Sequence, residues 1–184
     1  MFGSITTGGK LGGYKLANHS ATQLPQDLAT ATSYLFDGDG KILGATYKPI
    51  WYIGSQLVNG TNHLLICEQT KSTKDAVKRI VAVVINISTD GKASIVEIID
   101  DADLIEGTNL DAKLGDKFND ALGKLLGVKY TPILYVGSQI VKGMNYYIVA
   151  EARILRNDAE PYPVMICINV FDDIAVVISI ERLI

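Results

Sequence analysis

The sequence predicts an α+β protein made of two tandem units, each with one helix packed across a four-stranded antiparallel sheet. Three observations carry that expectation. The chain repeats itself, each repeat holds one stretch with helical spacing of apolar residues, and that stretch is followed by extended apolar segments separated by turn residues.

The repeat comes first because it sets the organisation. Displaced by 83 residues, GKILGATYKPIWYIGSQLVNGTN (Gly40 to Asn62) overlays GKLLGVKYTPILYVGSQIVKGMN (Gly123 to Asn145). The same offset continues without a gap through Glu68 and Glu151, Asn86 and Asn169, and Asp90 and Asp173. A period this long describes a folding unit rather than a solenoid module. The expected domains are residues 1–103, with a glycine-rich N-terminal trunk, and residues 104–184.

The helix of the second unit is read from Leu110, Leu114, Phe118, Leu122 and Leu125, spaced by four and three along one face. Asn109 is its expected N-cap and Gly127 its expected stop. In the first unit Pro25 suits a first helical turn, and Leu28, Thr32, Leu35 and Ile42 share a face. Gly38 and Gly40 weaken that helix, each by up to about 1 kcal/mol relative to Ala.

Four extended segments follow in each unit. In the second they are YTPILYVGSQIV, MNYYIVAEARIL, PVMICINVF and IAVVISIERLI. Tyr146, Ile148, Ala150, Ala152 and Ile154 alternate with Tyr147, Val149, Glu151 and Arg153, so the more apolar face should cover the helix. The segments IVAVVINI and VMICINVF are apolar on both faces, which points to sheet faces covered by another unit or by self-association with a second chain.

Composition narrows the function. With 184 residues, 48% hydrophobic and 20% charged, the chain can bury a real core. A net charge of −3 with scattered Lys and Arg leaves no basic stripe to neutralise phosphates, so nucleic acid is not an expected partner. No apolar run reaches the roughly 18 to 20 residues that span a bilayer, and a membrane is not expected either. The first residues have no basic and apolar leader pattern, which together with two unpatterned cysteines places the expected location in the cytoplasm, a removed leader aside.

Cys67 and Cys167 are read as buried free thiols, because His19 and His63 show no local relation to either that would make a nucleophilic dyad. DGDGK (Asp37 to Lys41) resembles a calcium loop until Lys48 stands where the closing Glu belongs. TGGKLGG lacks both the preceding strand and the Lys-Ser/Thr ending of a phosphate loop, and the carboxylates Asp100 to Asp103 read as a solvated linker. No catalytic residue, metal or cofactor is expected, and the chain is not read as an enzyme.

What remains is the pentapeptide QLVNG, repeated as QIVKG. As a turn it needs Gly60 and Gly143, and Asn62 and Asn145 could bond nearby backbone. A turn alone does not account for Val58 and Val141, because an exposed Val at a hairpin tip gains nothing from folding.

On these residues the chain resembles the cystatin family, in which Gln-x-Val-x-Gly forms the first hairpin loop after a single long helix. GMNYYIVAEA and GTNHLLICEQ also resemble the family's next strand, and GGYKLANHSATQLPQDL its glycine-led trunk. The resemblance implies a reversible protein inhibitor of papain-like cysteine peptidases that occludes the active-site cleft. It implies a peptidase-binding set of Gly12, Gly13, Gln56, Leu57, Val58, Asn59 and Gly60, and in the second unit Gln139, Ile140, Val141, Lys142 and Gly143. The family's second loop carries Pro-Trp or Leu-Pro, whereas STDGKAS and FDDIAV carry neither, and the second unit has only Gly107 ahead of its helix. By that comparison the first unit should be the more complete inhibitor. The alternative is a non-inhibitory binding or self-assembly module.

Overall fold

The structure is a computed structural model that describes residues 15–99, 111–156 and 158–183. The expected boundary at residues 103 and 104 lies outside them, as do Gly12, Gly13, Gly107 and Asn109. The described residues form two compact units.

The first unit begins with β1 (Lys15–Ser20), a short 3-10 turn and α1 (Gln26–Thr32). It continues with β2 (Ala45–Val58), β3 (Gly60–Lys71), β4 (Lys78–Ile87) and β5 (Ala93–Ile99). The strands lie in the order β1-β2-β3-β4-β5, all neighbours antiparallel. The second unit contains α2 (Asp111–Leu122), β6 (Val128–Val141), β7 (Gly143–Ile154), β8 (Tyr162–Phe171) and β9 (Ile174–Arg182), with the sheet ordered β6-β7-β8-β9.

This corrects the expected fold class. Among the described residues nine strands stand against two α-helices of 7 and 12 residues, so the chain is mainly β rather than α+β. Nor are the units two equal four-stranded copies with one helix each, the architecture that the cystatin resemblance implied. The first sheet has a fifth strand, β1, paired to β2 along Lys15↔Ser55 and Ser20↔Trp51 with an irregularity between. Its sequence, KLANHS, has no apolar alternation; an edge strand held by backbone pairing needs none.

The helices differ as well. Pro25 occupies the N-cap position of α1, where its carbonyl accepts from Ala29 N–H at 2.8 Å. After Thr32 the chain widens into a π-helical turn, Ser33–Asp37, and leaves helical geometry at Gly38, well before Ile42. Ile42 still packs against the core, from outside the helix. In the second unit α2 stops at Leu122, short of Gly127, and Leu125 and Leu126 are exposed. Gly123 follows its last residue and still bonds back through its N–H to Asn119 O at 2.7 Å, the last helical bond before a residue of low helix propensity.

In each unit the helix lies on the sheet face that alternation assigns to it. Leu28, Ala31, Leu35 and Phe36 pack on Tyr47, Tyr52, Leu65, Cys67, Val81, Val83 and Ile85. Phe118, Ala121 and Leu122 pack on Tyr135, Ile148, Ala150, Ala152, Val164, Ile166 and Ile168. Burying a side chain such as Leu28 or Phe118 contributes about 2 to 3 kcal/mol before entropy is counted. The opposite sides of β4 and β8 are buried too, at Ile80, Ala82, Val84 and Cys167.

The long hairpins coincide in detail. β2 and β6 are both 14 residues, β3 and β7 both 12, and the pairing shifts at Pro49/Trp51 and Tyr52/Gly54 recur at Pro132/Leu134 and Tyr135/Gly137. Such bulges bend and twist a ribbon locally.

Candidate functional site

Each Gln-x-Val-x-Gly segment forms the tip of a long hairpin. Gln56 pairs with Asn62, Leu57 with Thr61 and Val58 with Gly60, which leaves Asn59 alone at the apex. In the second unit Gln139 pairs with Asn145, Ile140 with Met144 and Val141 with Gly143, with Lys142 at the apex.

The glycines serve two purposes. Gly60 and Gly143 have φ of +96° and +84°, in the left-handed region that disfavours a side chain. A Cβ on Gly60 would lie 2.3 Å from Ile87 O and 2.7 Å from Ser88 Cα, and one on Gly143 would lie 2.4 Å from Val170 O. Each glycine therefore lets the tip turn and also lets the end of the next strand press against it.

Behind the tips runs a polar rung. Asn86 Nδ2 donates to Asn62 Oδ1 at 2.8 Å, and Asn62 Nδ2 donates to Gln56 Oε1 at 3.3 Å, linking β4, β3 and β2. The second unit repeats the inner bond, Asn169 Nδ2 to Asn145 Oδ1 at 2.8 Å, while Tyr147 OH donates to Gln139 Oε1 at 3.3 Å. Asn169 Nδ2 also reaches Lys142 O at 3.2 Å. Asn62 and Asn145 thus brace neighbouring strands through side chains, where the sequence suggested bonds to backbone. Both glutamines are half-buried parts of that brace.

The exposed part of each tip is apolar. Leu57 is 86% exposed and Ile140 81%, against 44% for both Val58 and Val141. The position between Gln and Val therefore offers more apolar surface than the Val on which sequence reasoning concentrated. Alternation along the ribbon contains the reason: Leu57 and Ile140 face away from the half-buried side that holds Gln and the asparagines.

The neighbouring turns differ between units. Beside the first tip, Ser88 N–H bonds to Lys92 O at 2.9 Å and Lys92 pairs with Asp90 at 2.7 Å, an exposed ion pair of little energetic weight. Hydrogen bonds from the side chains of Lys92 and Ser88 hold the Asp90 carboxyl below its ordinary range. Beside the second tip, Asp172 and Asp173 make a tight turn with φ of 47° and 67°. Lys117 on α2 anchors it through Asp173 Oδ1 at 2.9 Å. Phe171, the last residue of β8, stands half exposed there, with Lys142 Nζ 5.1 Å from its ring centre.

A second cluster lies in the first unit. His63 is buried, its Nδ1 2.9 Å from Tyr52 OH, and its Nε2 has no hydrogen-bond partner among the described residues. His19 packs edge-on against Tyr52 at 5.3 Å. Burial pushes the His63 pKa down and the Tyr52 pKa up. Cys67 and Cys167 are free and buried, and burial raises both thiols, so neither is poised as a thiolate. Among the described residues no group of three His, Cys, Asp or Glu side chains could hold a metal ion, and no helix is long and apolar enough to cross a membrane.

In comparisons with known proteins, no family model matches this chain and no curated protein matches it.

Proposed function

We propose that the two hairpin tips are docking wedges that reversibly occlude the active-site cleft of papain-like cysteine peptidases. The observation that carries this reading is the pair of nearly bare apolar side chains, Leu57 and Ile140, held at braced tips. Such a tip has little conformational entropy to lose on docking, so contact area converts to affinity efficiently. The choice of peptidase comes from the sequence resemblance to cystatins at Gln56, Val58, Gly60 and their counterparts Gln139, Val141 and Gly143. In this reading Leu57, Val58, Ile140 and Val141 fill pockets, and the apex residues Asn59 and Lys142 face the cleft wall. The glutamines act chiefly by holding the tip.

A second reading is a binding module without inhibition. It is favoured by the glutamines, whose amides are engaged within the sheet.

Residual papain activity should fall as the parent protein is added. The combined variant Leu57→Asp, Val58→Asp, Ile140→Asp, Val141→Asp should lose that effect while keeping its circular dichroism. Undiminished papain activity with the parent at high micromolar concentration would remove the inhibitor reading and leave the module.

A further inference from the structure

Asparagine is chemically labile, and the residue that follows it decides how readily the next backbone nitrogen reaches its side chain. Asn59 and Gly60 are the chain's one Asn-Gly pair. They stand at the apex of the first hairpin, where Val58 pairs with Gly60 and leaves Asn59 outside the ladder and exposed. Gly60 has no Cβ to shield its nitrogen, and it must stay glycine: its φ is +96°, and a Cβ there would lie 2.3 Å from Ile87 O. Other asparagines are placed differently. Asn62, Asn86 and Asn169 donate their amides within the polar rungs, and His63, Ile87 and Val170 after them carry bulky side chains beside that nitrogen. Asn119, also exposed, lies inside α2 and is followed by Asp120.

We propose that Asn59 is a self-modification site that switches the first tip off with time. The Gly60 backbone nitrogen attacks Asn59 Cγ, and the new C–N bond closes a succinimide ring. The Cγ–Nδ2 bond breaks, and Nδ2 leaves as ammonia with the Gly60 proton. Water then opens the ring at either carbonyl, giving aspartate or an isoaspartyl linkage. One water is consumed for one ammonia released, and nothing is oxidised or reduced. Either product places a carboxylate beside Leu57 and Val58 and adds one negative charge to a net charge of −3. The isoaspartyl form also lengthens the backbone by one carbon between Val58 and Gly60, where the hairpin turns. A carboxylate carried into a cleft without a partner loses its hydration and gains nothing in return. The second tip has Lys142 at its apex, which has no such chemistry, so that tip keeps its form. The effect on binding rests on the docking reading above; the chemistry at residue 59 does not.

Peptide mapping of the full chain, incubated at mildly alkaline pH and body temperature, reads the chemistry without any peptidase. Aspartate and isoaspartate should accumulate at residue 59 faster than at every other asparagine, and Asn59→Gln, which would have to close a larger ring, should stay unconverted. The consequence is read in a chain carrying Ile140→Asp and Val141→Asp, so that only the first tip acts. Its inhibition of papain should weaken by at least about tenfold as conversion completes, the usual scale for an unpaired charge buried in an interface. Asn59→Asp in that chain should start at the weakened level, and Asn59→Gln should hold its own starting strength throughout the incubation. An Asn59 that converts no faster than Asn119 would overturn the proposal, as would complete conversion with inhibition unchanged. A fresh single-tip chain that never inhibits papain would remove the switch along with the docking reading, while the mapping would still decide whether residue 59 modifies itself.

Discussion

At the scale of single residues, the tip glycines and the buried histidine make the sharpest predictions. Replacing Gly60 or Gly143 by Ala combines a left-handed φ with a Cβ less than 3.0 Å from the backbone of the next strand. Each change should cost about 2 to 4 kcal/mol in denaturant unfolding, and a loss below half a kcal/mol would show that the close approach is not required. His63 titrates in the opposite sense to a paired histidine. Its folded pKa is depressed by burial below an unfolded value near 6.5, so between those values the unfolded chain binds more protons. Stability should therefore be complete above about pH 6.5 and decline as pH falls below it. Denaturation at pH 7.5 and pH 5 should differ less for His63→Leu than for the parent, and an equal difference would exonerate this side chain.

Elements show where sequence patterns were sufficient. The 3.6-residue spacing of Leu114, Phe118 and Leu122 located α2, and the alternation of Ile148, Ala150 and Ala152 located the core face of β7, because both are dictated by burial against one surface. β1 left no such trace, since Lys15 and Ala17 are exposed and backbone pairing holds the strand. The shortening of α1 was equally hidden: Leu35 and Phe36 reach the core from a π-helical turn, so helix-like spacing outlasts the α-helix itself. Gly115 tests helix propensity without packing, because a Cβ there meets nothing within 4 Å. Gly115→Ala should stabilise the second unit by about 0.5 to 1 kcal/mol, seen as a rise of a few degrees in its melting transition; destabilisation would mean that this part of α2 is not the regular helix described. The polar rung makes the complementary case. Asn86→Ala removes the donor to Asn62 and should cost about 1 to 2 kcal/mol, with faster hydrogen exchange at Leu57 to Thr61; unchanged exchange there would separate the rung from tip rigidity.

For the whole molecule, the 83-residue offset located both hairpins and both candidate tips, yet it concealed how unlike the units are around them. Sequence identity is densest along the ribbons, where bulges and tip glycines restrict substitution, and thin at β1, α1 and the turns beside the tips. The candidate site was legible as a motif, but which of its residues is most exposed was not. Leu57 and Ile140 entered the expected binding set only as members of the motif, and the structure shows them 86% and 81% exposed, against 44% for Val58 and Val141. Phe171 read as the end of a core strand, although it stands beside the second tip under Lys142. The central claim is that these tips enter a cleft. Calorimetric titration of the protein into papain with an open active site, and into papain whose catalytic cysteine carries a bulky covalent inhibitor filling the cleft, tests it most directly. The account predicts saturable binding to the open enzyme and none to the filled one; equal binding to both, or to neither, would contradict it.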